Sequence, residues 1–347
     1  MSRTDDILDK TKRKEPEAKK WKVVVGIVVG LVFGGALFGL VFLFADVDEY
    51  LISSKDILSL YHFYDTHQPN GTEVYFVGSS IIGAGIYPPK INEYLENSGY
   101  NITTYNLKIS SDTPLQRALH IQEIINLHPE CVIYGVSYRS ITSVQSAGDT
   151  VWNSENAILI GDGVVIDSEL SSLLSESEIA DIQTENDFLF KKRFVRSALL
   201  AKLDNENGQY LDYERDPYGR TEDTISTMGN SEKILMDAQN PNHNWRPIIT
   251  NESTRHKDAL IYNVKKLQEA GISVILVNMP LHPFVSEEIT DESRQNFYDL
   301  LNETGANWYD YEYLLDGIYF RDTHHMTFDG ALEFAPVMAD LIIQEMS

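Results

Sequence analysis

The sequence predicts an α/β protein with a doubly wound parallel sheet that carries one insertion and is preceded by a single membrane-spanning helix. Three observations lead there. Short apolar runs alternate with amphipathic stretches over residues 71–347, one acidic polar segment interrupts that rhythm, and one early apolar run is long enough to cross a bilayer.

The elements follow in chain order. Residues 1–22 form a basic tail with eight Lys/Arg against five Asp/Glu. Residues 23–44, VVVGIVVGLVFGGALFGLVFLF, are 22 consecutive uncharged residues; at a rise of about 1.5 Å each, a helix of them covers roughly 33 Å, a hydrocarbon thickness. A buried helix and a cleaved leader are the alternatives. Leader apolar regions end near 15 residues at small side chains, whereas Phe42, Leu43 and Phe44 precede Ala45 here. The basic tail on one side and Asp46, Asp48 and Glu49 on the other place residues 1–22 in the cytoplasm, the span at 23–45 and the remainder outside. Gly26, Gly30 and Gly34 recur every fourth residue, a spacing that lets two spans pack closely and form a homodimer. Residues 46–70 read as a juxtamembrane helix and linker.

From residue 71 onward, apolar runs suited to buried parallel strands lie near 73–78, 102–107, 131–136, 273–279 and 306–309. Helical stretches lie near 88–98, 114–127, 255–270, 286–304 and 328–345. Such alternation implies helices on both faces of the sheet, with the active site at the C-terminal ends of the strands. Residues 140–250 form the insertion, with a helical piece near 177–204, and sit where they can cover a pocket.

The chain carries a net charge of −24 and its tail is net positive by three, so the part beyond the span carries −27. That surface excludes nucleic acid and anionic lipid as partners. Cys131 is the lone cysteine and reads as a small packed hydrophobe. Asn70, Asn101, Asn251 and Asn302 each begin a glycosylation sequon. No histidine pair with metal-ligand spacing and no phosphate-binding loop is present. Neither a metal nor a cofactor is expected.

Two stretches carry chemistry. In YFVGSSIIGAG, an apolar run ends in Gly78-Ser79-Ser80. That is an ordinary turn taken alone, or a strand end presenting a nucleophile near backbone N–H groups, with Gly83 and Gly85 keeping the wall low. In YFRDTHHMTFDG, Asp322 stands three residues before His325, ahead of a helix capped by Thr327. A carboxylate so placed can hold an imidazole in the tautomer a general base needs. A polar capping loop is the plain alternative, and His324 is a rival base.

Together these residues resemble the SGNH/GDSL family of serine esterases and acyltransferases. Its first block corresponds to Gly78-Ser79-Ser80, and its last to Asp322, His325, Thr327 and Gly330. The register implies Ser80 as nucleophile, His325 as base and Asp322 as its orienting acid. The second block matches at Asn106, Asp112 and Thr113, with Ser111 in the glycine position; the third keeps Gly135, with Ser137 for the asparagine. The resemblance thus implies a flavodoxin-like, SGNH-type sheet and an oxyanion hole from Ser80, Ser111 and Ser137. The shorter Ser137 weakens the third donor. Tyr138, Arg139 and His282 are candidate substrate contacts, or plain wall residues. The strand end VILVNMPLHP is similar to membrane-anchored branches that act on cell-surface polymers, as in alginate acetylation and teichoic-acid D-alanylation. The function implied is an anchored, outward-facing serine esterase or O-acyltransferase acting on a cell-envelope glycan or acylated polymer. The alternative is a catalytically weak module that binds glycan or an envelope partner.

Overall fold

Each of the five apolar runs becomes a strand in the computed structural model. It describes residues 15–44, 60, 63–64, 67–109, 112–141, 166–184, 229, 231–240 and 254–346. The strands are β1 (Thr72–Gly78), β2 (Ile102–Lys108), β3 (Cys131–Val136), β4 (Ser273–Asn278) and β5 (Asn307–Asp310). They form one parallel sheet in the order β2-β1-β3-β4-β5. Burial explains the composition. Every residue of the central β3 is buried, so an unbroken apolar run suits it, while edge strand β5 is half-exposed along its length.

Helix α1 is Glu15–Phe44, and α2 is Ser80–Gly85, followed by α3 (Pro88–Asn97) and α4 (Pro114–Leu127). Within the insertion lie α5 (Ser168–Leu173), α6 (Glu176–Thr184) and α7 (Ser231–Gln239). The C-terminal part adds α8 (Thr254–Glu269), α9 (Pro283–Ser286), α10 (Asp291–Glu303) and α11 (Phe328–Met346). Helix α4 packs on α8, and α3 packs on α11. The crossover from β1 to β2 runs one way along the sheet and that from β2 to β3 runs back. Right-handed connections therefore place α3 and α4 on opposite faces, which is double winding.

Two expectations are corrected. The stretch 286–304 is not one helix. After a turn over 287–289, Thr290 is extended and caps α10 through Ser293 N–H (3.2 Å), so the helix restarts at Asp291. The glycines of IIGAG do not line an open wall; they lie in α2. A Cβ on Gly83 would come within 2.9 Å of the Lys108 side chain, and one on Gly85 within 2.8 Å of Met279 Cε.

The chain divides into two units, Met1–Tyr50 and Leu51–Ser347. In the first, α1 is 30 residues long, and apolar side chains along it, including Val23, Ile27, Leu31 and Phe33, are exposed. Among the described residues no helix is long and apolar enough to cross a membrane. The described side chains of α1 cover 21–37, so the expected span of 23–45 reaches beyond them. Of the juxtamembrane segment only 60, 63–64 and 67–70 are described, and the expected helix beyond Thr184 lies outside the described residues.

Candidate active site

The parallel register brings the C-terminal ends of β1, β3 and β4 level, with Gly78 opposite Gly135 and Gly135 opposite Val277. Gly78 has φ +142°, and a Cβ on it would sit 2.6 Å from the Gly135 carbonyl oxygen. Only glycine satisfies both conditions there. The chain then turns into α2. Ser79 is its N-cap, its hydroxyl accepting from Ile81 N–H at 3.4 Å. Ser80, the first helical residue, is left to point away. The cap separates the roles of the two serines.

Ser80 Oγ lies 2.8 Å from His325 Nε2, and His325 Nδ1 lies 2.8 Å from Asp322 Oδ2. The other carboxylate oxygen accepts from the backbone N–H groups of His324 (3.0 Å) and His325 (2.8 Å). An ionised carboxylate can only accept. His325 therefore carries its proton on Nδ1, and Nε2 accepts the Ser80 hydroxyl. Burial alone would raise the Asp322 pKa. The hydrogen bonds from the His325 ring and backbone N–H, with the His324 and His325 imidazoles close by, outweigh it and hold the carboxyl well below the usual range. Some 245 residues separate Ser80 from His325, and the fold closes that gap.

The loop carrying the acid and base is tied at several points. Phe320 and Met326 form an antiparallel bridge, Arg321 N–H donates to the His325 carbonyl (3.0 Å), and His282 N–H donates to the Thr323 carbonyl (3.3 Å). From the insertion, Gly229 N–H donates to the Phe320 carbonyl (3.1 Å). A Cβ on Gly229 would meet the Arg321 carbonyl oxygen at 2.0 Å. Thr327 caps α11 through Gly330 N–H (3.2 Å), as the sequence implied.

The remaining expected residues are placed as follows. Ser137 is buried, with its hydroxyl 3.3 Å from Ser140 Oγ, so that group is taken up within its own turn. Tyr138 is 2% exposed, packs on Phe297 and donates to Glu312 at 2.5 Å; it belongs to the interior. His282 is buried, caps α9 and accepts from Phe284 N–H (3.2 Å). Arg139 is half-buried beside the triad, its Nη1 3.4 Å from His324 Nε2. Ser111 lies outside the described residues. Asn106, a match to the second block in the sequence, donates from β2 to the carbonyls of Ile82 (3.3 Å) and Ile86 (3.0 Å) and so pins α2. Nothing in its spacing could have shown this.

Asp322, His324 and His325 also bring possible metal-ligand atoms within 4.8 Å of one another. His325 Nε2 faces Ser80, however, and a guanidinium stands at His324 Nε2, a charge that opposes a cation.

Comparisons with known proteins add little to this geometry. A family model matches residues 233–347, less than half of the chain. A search of the curated proteins by sequence found no match. Among solved structures, a GDSL-like lipase from Bacteroides thetaiotaomicron VPI-5482 aligns over 83% of this chain and 99% of its own, at 13% identity and a TM-score of 0.35. A Bacteroides fragilis NCTC 9343 protein assigned as an acylhydrolase aligns over 82% and 92%, at 13% identity and a TM-score of 0.34. At that identity and score neither likeness carries an argument about activity. The chemistry rests on the relay itself.

Proposed function

We propose that the chain is a membrane-anchored, outward-facing serine esterase or O-acyltransferase of SGNH type, acting on acyl esters of a cell-envelope glycan. The observation that carries this is the Ser80–His325–Asp322 relay with both links at 2.8 Å. His325 Nε2 takes the Ser80 proton as Oγ attacks the ester carbonyl. The imidazolium, stabilised by Asp322, then protonates the departing sugar oxygen and an acyl-enzyme remains. Water or a second sugar hydroxyl, deprotonated by the same nitrogen, takes the acyl group, and the His325 imidazolium returns the proton to Ser80 Oγ. Burial of Ser137 against Ser140 favours a second reading, a weakly catalytic module that binds glycan. A lost oxyanion donor costs about 10²–10³ in turnover.

A fluorophosphonate probe separates the two. Wild-type protein and Ser79→Ala are labelled, Ser79→Ala at a cap cost of about 0.5–2 kcal/mol in stability, and Ser80→Ala is not. Labelling that survives Ser80→Ala overturns the assignment of the nucleophile. An unlabelled wild type favours the binding module.

A further inference from the structure

A buried ion pair stands behind the nucleophile that the relay does not use. Asp112 and Arg117 are 3% and 0% exposed. Arg117 Nη2 lies 2.6 Å and its Nε 2.8 Å from Asp112 Oδ2. The same Nη2 donates to the Leu107 carbonyl at 3.2 Å. Leu107 is in β2, Asp112 closes the turn that leaves it, and Arg117 is in the first turns of α4. One planar guanidinium therefore joins the end of β2 to the start of α4.

The same segment is tied to the strand that ends in the nucleophile. Asp112 N–H donates to the Ile109 carbonyl (3.1 Å), and Ile109 N–H donates to the carbonyl of Gly78 (3.0 Å), two residues before Ser80. Lys108 lies along Gly83 of α2.

Stability does not account for the pair. Removing each ion from water costs several kcal/mol, and well-packed apolar residues in place of a buried pair are often neutral or stabilising. A rigid fork with fixed donors supplies geometry instead. We infer that Arg117 is a positioning residue, acting through Asp112 to hold Ile109 against Gly78 and so to fix the strand end that presents Ser80. The inference rests on the esterase reading for its catalytic consequence, but not for its structural one.

The test compares full-length wild-type protein in detergent with Asp112→Leu/Arg117→Met, which removes the fork and leaves no lone buried charge. Ester turnover, melting temperature and amide hydrogen exchange over residues 107–113 are read together. The expected result is an unchanged melting temperature, exchange faster by roughly 10-fold or more, and kcat lower by about 10²-fold with KM unchanged, the scale of a misplacement near 1 Å. Wild-type exchange and kcat in the double variant overturn the inference, since the pair is then structural only. If the double variant does not fold, Arg117→Lys keeps the charge without the fork. It should show the same faster exchange and kcat loss, and wild-type values overturn the inference equally. If the wild type turns over no ester, the esterase reading fails, and hydrogen exchange alone decides whether the pair fixes the strand end.

Discussion

A guanidinium has donors and no acceptor, so the Arg139 Nη1 that lies 3.4 Å from His324 Nε2 makes that ring nitrogen the acceptor. The His324 proton then sits on Nδ1, 2.8 Å from Thr323 Oγ1. Burial, with the charges of His325, Arg139 and Arg321, keeps the ring's pKa well below that of an ordinary histidine. His324 therefore stays neutral against His325 (ring centroids 3.9 Å apart) and does not compete for the Ser80 proton. A second histidine matters to stability. His120 is fully buried in α4, neither ring nitrogen has a partner, and burial together with Arg117 lowers its pKa to about 3. Between about 3 and 6.5 the unfolded chain binds a proton that the folded one does not. Stability is thus full above about pH 6.5 and falls by up to about 1.4 kcal/mol per pH unit as pH drops through that window. His120→Leu should remove this slope and, with the orphaned nitrogens gone, add about 1–3 kcal/mol at neutral pH. Urea titrations of both proteins from pH 7 to 4 check it; parallel pH dependence would exclude His120 as the titrating group. The Gly78-Ser79-Ser80 strand end and the Asp322–His325 spacing were legible in sequence, and the resemblance to the SGNH/GDSL blocks singled out Ser80 and His325 from their neighbours. The roles of His120, Arg117 and Asn106 were not legible, because what they touch depends on how α2, α4 and β2 pack.

At the scale of elements, the strands were legible to within a residue or two because burial on both faces forces unbroken apolar runs. Helix α2 was not, since six residues with two glycines are too few to show a 3.6-residue period. Its position is fixed by absence of volume underneath. A Cβ on Gly135 of β3 would lie 2.1 Å from Ile82 Cδ1 and 2.2 Å from Ile82 Cγ1, so Ile82 occupies space that any other residue would fill. Gly135→Ala should push α2 and Ser80 outward, cost about 1–3 kcal/mol as overpacking, lower the melting temperature and slow fluorophosphonate labelling. Adding Ile82→Ala removes the clash and should recover the labelling rate, though not the lost apolar burial. A single variant that melts and labels like wild type would show that β3 does not press on α2. The tie from Gly229 to Phe320 is one place where the insertion meets the acid–base loop, and its sequence gave no sign of it: a glycine in a polar segment reads simply as loop.

At the scale of the molecule, within Leu51–Ser347, the packing of Phe63 and His67 and the site lie at opposite ends of β1. Phe63 and His67 pack on Tyr75 and Tyr105. Buried Glu73 gathers His67 Nε2 (2.9 Å), Asn70 N–H (3.0 Å) and Tyr75 OH (2.7 Å) at the start of β1. Ser80 stands past its other end, roughly 23 Å away at about 3.3 Å per residue. Two forces then act on where the protein resides. The part beyond the apolar run carries −27 of charge and is repelled by anionic lipid, a force that salt screens within about 8–10 Å. The uncharged run of residues 23–44 gains from leaving water, and that gain is insensitive to salt screening. If the run anchors the chain, the full-length protein should stay with membranes through high-salt and alkaline washes and leave only with detergent. A chain lacking residues 1–45 should appear in the soluble fraction and keep Ser80 labelling, since every tie described around the site lies within 60–346. External protease on intact cells should remove the domain and spare the basic tail. Release of the full-length chain by salt alone would mean that charge, not the apolar helix, had held it.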